Sequence, residues 1–155
     1  MTDMSSQRIL QAREISRAYY TSQFGAHYSC GITIAMTFGL DPKSYRSLRK
    51  GGILGFSECG ALKAGEMVLG EFLGDPDPAG PVPERLLEAV TEYRQRLADA
   101  GYEPYGSCHT FTSRFAAFDS EERRSSCADL VEFVADTVAD ILESSNVRFA
   151  ITKMP

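Results

Sequence analysis

The chain has 155 residues, of which 43% are hydrophobic and 24% are charged, and its formal net charge is −5. This length and composition predict one globular domain with its own core and exclude a disordered chain. The excess of acidic residues argues against a protein that binds a nucleic-acid backbone. No apolar run reaches the roughly 18 residues of a membrane-spanning helix, and the N-terminus lacks the apolar stretch of a secretory signal. We therefore expect a cytoplasmic protein without a nucleic-acid or membrane partner.

Apolar spacing predicts three helices in the first part of the chain. Residues 5–20 form an amphipathic helix with Gln and Arg on its other face. Residues 30–38 carry almost no polar side chain, which indicates a buried helix that ends at Gly39. A short helix through Tyr45 and Leu48 follows.

Glycine and proline mark the connections in the middle of the chain. The glycine-rich segment 51–56 predicts a packed loop whose backbone lies close to a neighbouring group. A third helix, residues 59–72, follows it directly. Residues 75–83 hold four of the seven prolines and predict an exposed linker within the domain. Pro83 suits the first turn of a fourth helix, which ends at Gly101.

The clearest apolar stripe begins at Cys127 and predicts the final helix, for which Ser126 and Asp129 have the spacing of a capping box. The other face of this helix is acidic, since residues 119–143 hold eight acidic and two basic side chains. We expect that face to be solvated. Residues 147–152 have the composition of a short strand but no sheet to join. The sequence therefore predicts an all-α, single-domain bundle of about five to six helices.

The chain contains four cysteines, separated by 29, 49 and 19 residues, which excludes the C-x-x-C spacing of zinc ribbons and thioredoxin-like motifs. Ser directly precedes three of them and lies two residues before the other. If these serines cap helices, Cys30, Cys59 and Cys127 lie in first turns, where backbone N–H groups favour a thiolate. We expect these helix ends to converge with a loop-borne Cys108. The alternative for any single cysteine is a plain apolar role in the core.

Other side chains near the cysteines allow further roles. The chain has two histidines, His27 and His109. His109 adjoins Cys108 and is able to orient a ligand or move a proton. For either lone histidine, a surface or structural role is more frequent. Lys63 either stabilises a thiolate at Cys59 or is solvated. Covalent c-type haem attachment is excluded because no C-x-x-C-H motif occurs.

The order of these motifs resembles the redox-active family named for its C, GCAxxG, C, C pattern. The matching segments are Cys30, the glycine-rich residues 51–55, Cys59-Gly60-Ala61-Leu62, Cys108 and Cys127-Ala128-Asp129-Leu130-Val131, and the likeness covers residues 28–142. The chain departs from the pattern at two positions. It has Glu58 where the pattern has Gly, and Gly60 where the pattern has Ala. That family is similar to the cysteine-bearing domain of the dimeric split-Soret cytochromes, which is associated with an iron–sulfur cluster. The resemblance implies that the four cysteines act together, in a protein with a redox partner and a possible homodimeric state.

The leading functional hypothesis is a redox or electron-transfer protein whose four cysteines are the ligands of an iron–sulfur cluster. The aromatic and aliphatic residues expected to limit solvent access to it are Ile53, Leu54, Phe56, Phe111 and Phe115. One alternative is a metal-free dithiol/disulfide redox protein. Another is a structural zinc site formed by the four cysteines. The last is a helical interaction module whose acidic final helix binds a partner.

Overall fold

Helices form the whole regular structure of the computed structural model, which describes residues 3–155 and contains no β-strand in that range. Six are α-helices and one is a 3₁₀ helix. They are α1 (Met4–Tyr20), α2 (Cys30–Thr37), the 3₁₀ helix (Pro42–Leu48), α3 (Gly60–Leu73), α4 (Glu84–Asp99), α5 (Cys108–Thr112) and α6 (Glu121–Ser144). The predicted all-α fold is confirmed. Over the same residues, no helix has both the length and the apolar character needed to cross a membrane.

Helix α6 is the central element, because it packs along α1 and also contacts α2, α3 and α4. Its apolar stripe is fully buried at Val131, Val134 and Val138, as the helical periodicity predicts. On the facing side, Ala12 and Ile15 of α1 are also buried. Each large aliphatic side chain removed from water contributes about 1.5–3 kcal/mol. The α1–α6 pair therefore forms one wall of the core.

The capping residue of α6 corrects the sequence prediction. Ser120 precedes the helix and accepts a hydrogen bond from the Arg123 amide at 3.2 Å, while Glu121 opens an acidic first turn. An N-cap serine followed by acidic residues stabilises a helix start. The predicted cap at Ser126 is therefore wrong, and Cys127 lies in the second turn of α6 rather than at its beginning.

The acidic face of α6 also differs from the prediction of a solvated surface. Arginines of α1 and α4 lie along it and pair with its carboxylates. The pairs are Arg8–Glu143, Arg13–Glu132 at 3.1 Å, Arg17–Asp129 at 3.0 Å and Arg96–Asp140 at 2.7 Å. Each such half-exposed pair is worth at most about 1 kcal/mol. The face that an interaction module would present is thus largely occupied by the chain's own arginines.

The connecting segments follow the sequence prediction in part. Residues 75–83 are mostly exposed, as expected for the proline-rich linker, although Pro83 is the N-cap of α4 rather than part of its first turn. The C-terminal residues 147–152 form no strand. Instead, Ile151 is buried, and the Thr152 amide donates to the Thr37 carbonyl at 3.0 Å. The tail is thereby held against the end of α2.

Candidate functional site

All four cysteines line one cavity of about 130 Å³. They reach it from four different elements: Cys30 begins α2, Cys59 precedes α3, Cys108 begins α5 and Cys127 lies within α6. All four are free thiols. The structure therefore brings together the four residues that the sequence singled out.

Cys30 and Cys59 form a directly interacting pair in this cavity. The neighbouring Cys59 thiol lowers the pKa of Cys30 below its usual value, assisted by the Gly31 amide. The proximity of Cys30, together with burial, raises the pKa of Cys59. Cys30 is accordingly the more acidic thiol of the pair. Thiolate formation at this site begins there.

Two glycines allow α2 and α3 to meet at this pair. A Cβ at Gly60 would lie 2.9 Å from the Cys30 sulfur and 2.7 Å from the Leu48 carbonyl oxygen. A Cβ at Gly31 would lie 3.1 Å from the Gly60 carbonyl oxygen. These distances leave no room for a methyl group at residue 60. They give a physical reason for Gly at this position.

Cys108 is held in place by backbone contacts on both sides. Its amide donates to the Ser57 carbonyl at 3.2 Å, and the Cys59 amide donates to the Gly106 carbonyl at 2.8 Å. Ser107 caps α5 by accepting from the Thr110 amide at 3.0 Å. Cys108 is therefore the first residue of a helix, which corrects the prediction of a loop-borne cysteine.

The glycine-rich loop explains how Cys108 fits. Gly51 has φ +64°, and a Cβ there would lie 2.3 Å from the Cys108 Cβ. Gly52 has φ +75°, and its Cβ would lie 2.6 Å from the Ser57 hydroxyl oxygen. Both positions require glycine for conformation and for space. The predicted close backbone approach of this loop is confirmed.

Cys127 belongs to a polar group formed with Tyr20 and Arg123. Burial raises the pKa of Cys127, and the nearby Arg123 guanidinium opposes that rise. Burial also raises the pKa of Tyr20, and Cys127 adds to the effect. Arg123 donates to the Tyr20 hydroxyl at 3.0 Å. The sequence analysis missed Arg123, although its spacing of four residues from Cys127 places both on one helix face.

The apolar lining of the cavity differs from the prediction. Ile53, Leu54 and Phe56 are 57%, 81% and 75% exposed, so the loop does not cover the site. The turn that brings Gly51 to Cys108 continues through positive φ at Ile53, and it leaves these side chains on the outside. Phe115 is half-buried and does not line the cavity, whereas Phe111 does and is buried. The remaining apolar lining is supplied by Ala61, Phe118 and Leu130.

Other candidate side chains take different positions. His27 lines the cavity, with its Nδ1 2.9 Å from the Tyr20 carbonyl oxygen. His109 is exposed and packs beside the Phe56 ring. Lys63 is 43% exposed and forms an ion pair with Glu66 at 3.3 Å, which favours the solvated alternative over stabilisation of a Cys59 thiolate. Ser29 also lines the cavity, and its buried hydroxyl oxygen has no hydrogen-bond partner among the described residues.

The donor chemistry of the cavity suits an iron–sulfur cluster, since four thiols are its usual protein ligands. Between residues 3 and 155, no three Cys, His, Asp or Glu side chains are already grouped so as to hold a single metal ion. No family model matches the chain, and no curated protein or solved structure matches it either. The assignment of the site therefore depends on its geometry and on the sequence resemblance.

Proposed function

We propose that the protein is a redox or electron-transfer protein whose four cysteines form a single centre that binds an iron–sulfur cluster. The observation that carries this proposal is that thiols from four separate elements line the same cavity. Cysteines this far apart in sequence have no local reason to meet. Four sulfur ligands form the standard protein complement of such a cluster, which supplies one-electron transfer when bound.

The surrounding residues have roles that suit a charged sulfur centre. Cys30 and Cys108 are the first residues of their helices, and Cys59 is the N-cap of α3. Backbone amides of the first turns of α2 and α3 stabilise negative charge on Cys30 and Cys59. Phe111 and Leu130 are buried beside the cavity and exclude water from it. Lower solvent access strengthens each electrostatic contact with the sulfurs.

Anaerobic purification followed by metal analysis tests the proposal. A protein that holds the cluster absorbs visible light near roughly 400 nm and contains iron and acid-labile sulfide in matching amounts. Zinc is measured in the same sample. A colourless protein with about one zinc per chain would assign a structural site instead. Absence of iron, sulfide and zinc after anaerobic reconstitution would refute the cluster proposal.

A second candidate function is supported by the position of Cys30 and Cys59 in one cavity, where Cys30 is the more acidic thiol. In this function the Cys30 thiolate attacks a disulfide of a substrate protein, forms a mixed disulfide and releases one substrate thiolate. The Cys59 sulfur, after losing its proton, then attacks the Cys30 sulfur and releases the second substrate thiolate. The substrate disulfide is reduced to two thiols, and Cys30 and Cys59 are oxidised to a disulfide.

The two functions depend on different cysteines. A dithiol mechanism requires Cys30 and Cys59, so Cys108→Ser and Cys127→Ser should keep the reduction of a model disulfide substrate. A cluster requires all four residues. Retained disulfide reduction in the last two variants, together with an iron-free wild type, would favour the dithiol function over the cluster.

The proposal includes a cytoplasmic location, because four free thiols suit a reducing compartment. It also includes an unidentified redox partner protein and a homodimeric state, as the family resemblance implies. The net charge of −5 argues against nucleic acid as the partner. Light scattering of the purified protein at two concentrations measures the oligomeric state, and a concentration-independent monomer would contradict the dimer.

A further inference from the structure

Arg123 is a buried cation with an unusual environment. Arg123 is 9% exposed, and its guanidinium carbon lies 4.2 Å from the centre of the Phe118 ring. It donates hydrogen bonds to the Phe118 carbonyl and, at 3.0 Å, to the Tyr20 hydroxyl. In the part of the chain that the structure describes, no carboxylate forms an ion pair with it.

The other buried arginine of the protein shows the contrast. Arg94 is 7% exposed and pairs with both Glu58, at 2.5 Å, and Glu66. This arrangement is the usual one, because a buried charge without compensation is strongly destabilising. A neutral hydroxyl and a carbonyl do not supply a negative charge to Arg123. Its compensating charge has to come from another group.

The cavity that Arg123 lines also holds the four thiols. Arg123 lies one helical turn before Cys127 on the same face of α6 and lines the same cavity, and its positive charge opposes the rise in the pKa of Cys127. Its positive charge also acts on Cys108. Arg49 and Lys50 line the same cavity, but both are exposed, so solvent and salt screen their charges more strongly. Arg123 is therefore the cation best placed to act on the sulfurs.

We infer that Arg123 is the counter-ion of the four-cysteine centre and stabilises its more negative, reduced state. This inference rests on the proposed function and adds a residue that controls the reduction potential. Arg123 is a positioning and charge-compensating residue and not a ligand. Electron uptake makes the centre more negative, so a fixed positive charge beside it raises the potential.

Charge removal with matched controls tests this inference. Arg123→Gln removes the charge, Arg123→Lys keeps it, and Arg124→Gln removes the same charge from the adjacent, exposed residue. The midpoint potential of each loaded protein is measured by redox titration at one pH. We expect Arg123→Gln to favour the oxidised form at least tenfold, which is about 59 mV for a one-electron couple. Arg123→Lys should restore at least half of that shift.

Equal potentials for Arg123→Gln and Arg124→Gln, at equal cluster content, would overturn the inference. If Arg123→Gln does not fold, Arg123→Met replaces it, because this side chain keeps the packing on Phe118 without the charge. An iron-free wild type would refute the proposed function rather than the inference. In that case, the wild type and the same variants are equilibrated with glutathione. A thiol/disulfide equilibrium in Arg123→Gln equal to that of the wild type would overturn the counter-ion role.

Discussion

Replacing Gly51 with Ala tests the packing that places Cys108 in the site. Gly51 has φ +64°, and the new Cβ would lie 2.3 Å from the Cys108 Cβ. A non-glycine residue in the left-handed region costs about 1–2 kcal/mol. Forcing an additional methyl group into a filled position costs about 1–3 kcal/mol more. We therefore expect Gly51→Ala to lower the free energy of unfolding by about 2–5 kcal/mol.

Gly25→Ala is the matched control for the backbone contribution. Gly25 has φ +94°, and a Cβ there meets nothing within 4 Å, so this variant should lose only the backbone term. Urea unfolding of the reduced, metal-free variants measures both free energies, and iron binding by the two proteins is compared afterwards. If Gly51→Ala is no less stable than Gly25→Ala and binds iron like the wild type, the proposed contact does not hold Cys108.

Three further predictions concern the surroundings of the site. Burial alone would raise the pKa of Glu66, but the hydrogen bonds and positive charges of Arg94 and Lys63 together outweigh this and lower the pKa below 4.5. The ion pair with Arg94 therefore stabilises the fold above that pH and is lost as the pH falls further, so Glu66→Gln should reduce the acid-induced loss of stability measured by urea unfolding. In the reduced, metal-free protein at neutral pH, iodoacetamide should modify Cys30 first, as followed by peptide mass spectrometry. Cys59→Ala should slow the modification of Cys30 several-fold. Equal rates of Cys30 modification in this variant and in the wild type would contradict the thiol pair. Leu54→Ser should change the free energy of unfolding by less than about 0.5 kcal/mol, because the Leu54 side chain is 81% exposed. A larger loss of stability would show that the loop does close over the site.

The sequence predicts the helical framework well because the apolar spacing is periodic along most helices. Helix α6 illustrates this, since the stripe that begins at Cys127 is the face it buries. Its beginning is less predictable, because Ser120 and Ser126 both have the chemistry of an N-cap. The acidic residues after Ser120 favour the earlier start. A local serine signal was therefore insufficient to place Cys127 within its helix.

The candidate site depends more strongly on tertiary structure. Ser29 stands at the N-cap of α2 before Cys30, as predicted, although its side chain makes no capping hydrogen bond. Ser107 caps a five-residue helix that begins at Cys108, where the sequence predicts a loop. In contrast, the exposure of Leu54 follows from how the glycine-rich loop turns toward Cys108, which apolar composition does not indicate. Arg123 escaped notice because its sequence surroundings are those of an ordinary charged helix start. Its role becomes visible only from its burial and the absence of a carboxylate partner in the described residues.

The central claim, that Cys30, Cys59, Cys108 and Cys127 form one centre, is tested most directly by four single Cys→Ser variants. Each variant is reconstituted anaerobically, and its iron and labile sulfide are measured per chain. Ser29→Ala serves as the control, since it removes an unpartnered hydroxyl from the same cavity. The account predicts that all four variants lose most of the iron, sulfide and visible absorption while the control keeps them. Wild-type cluster content in any one of the Cys→Ser variants would contradict it.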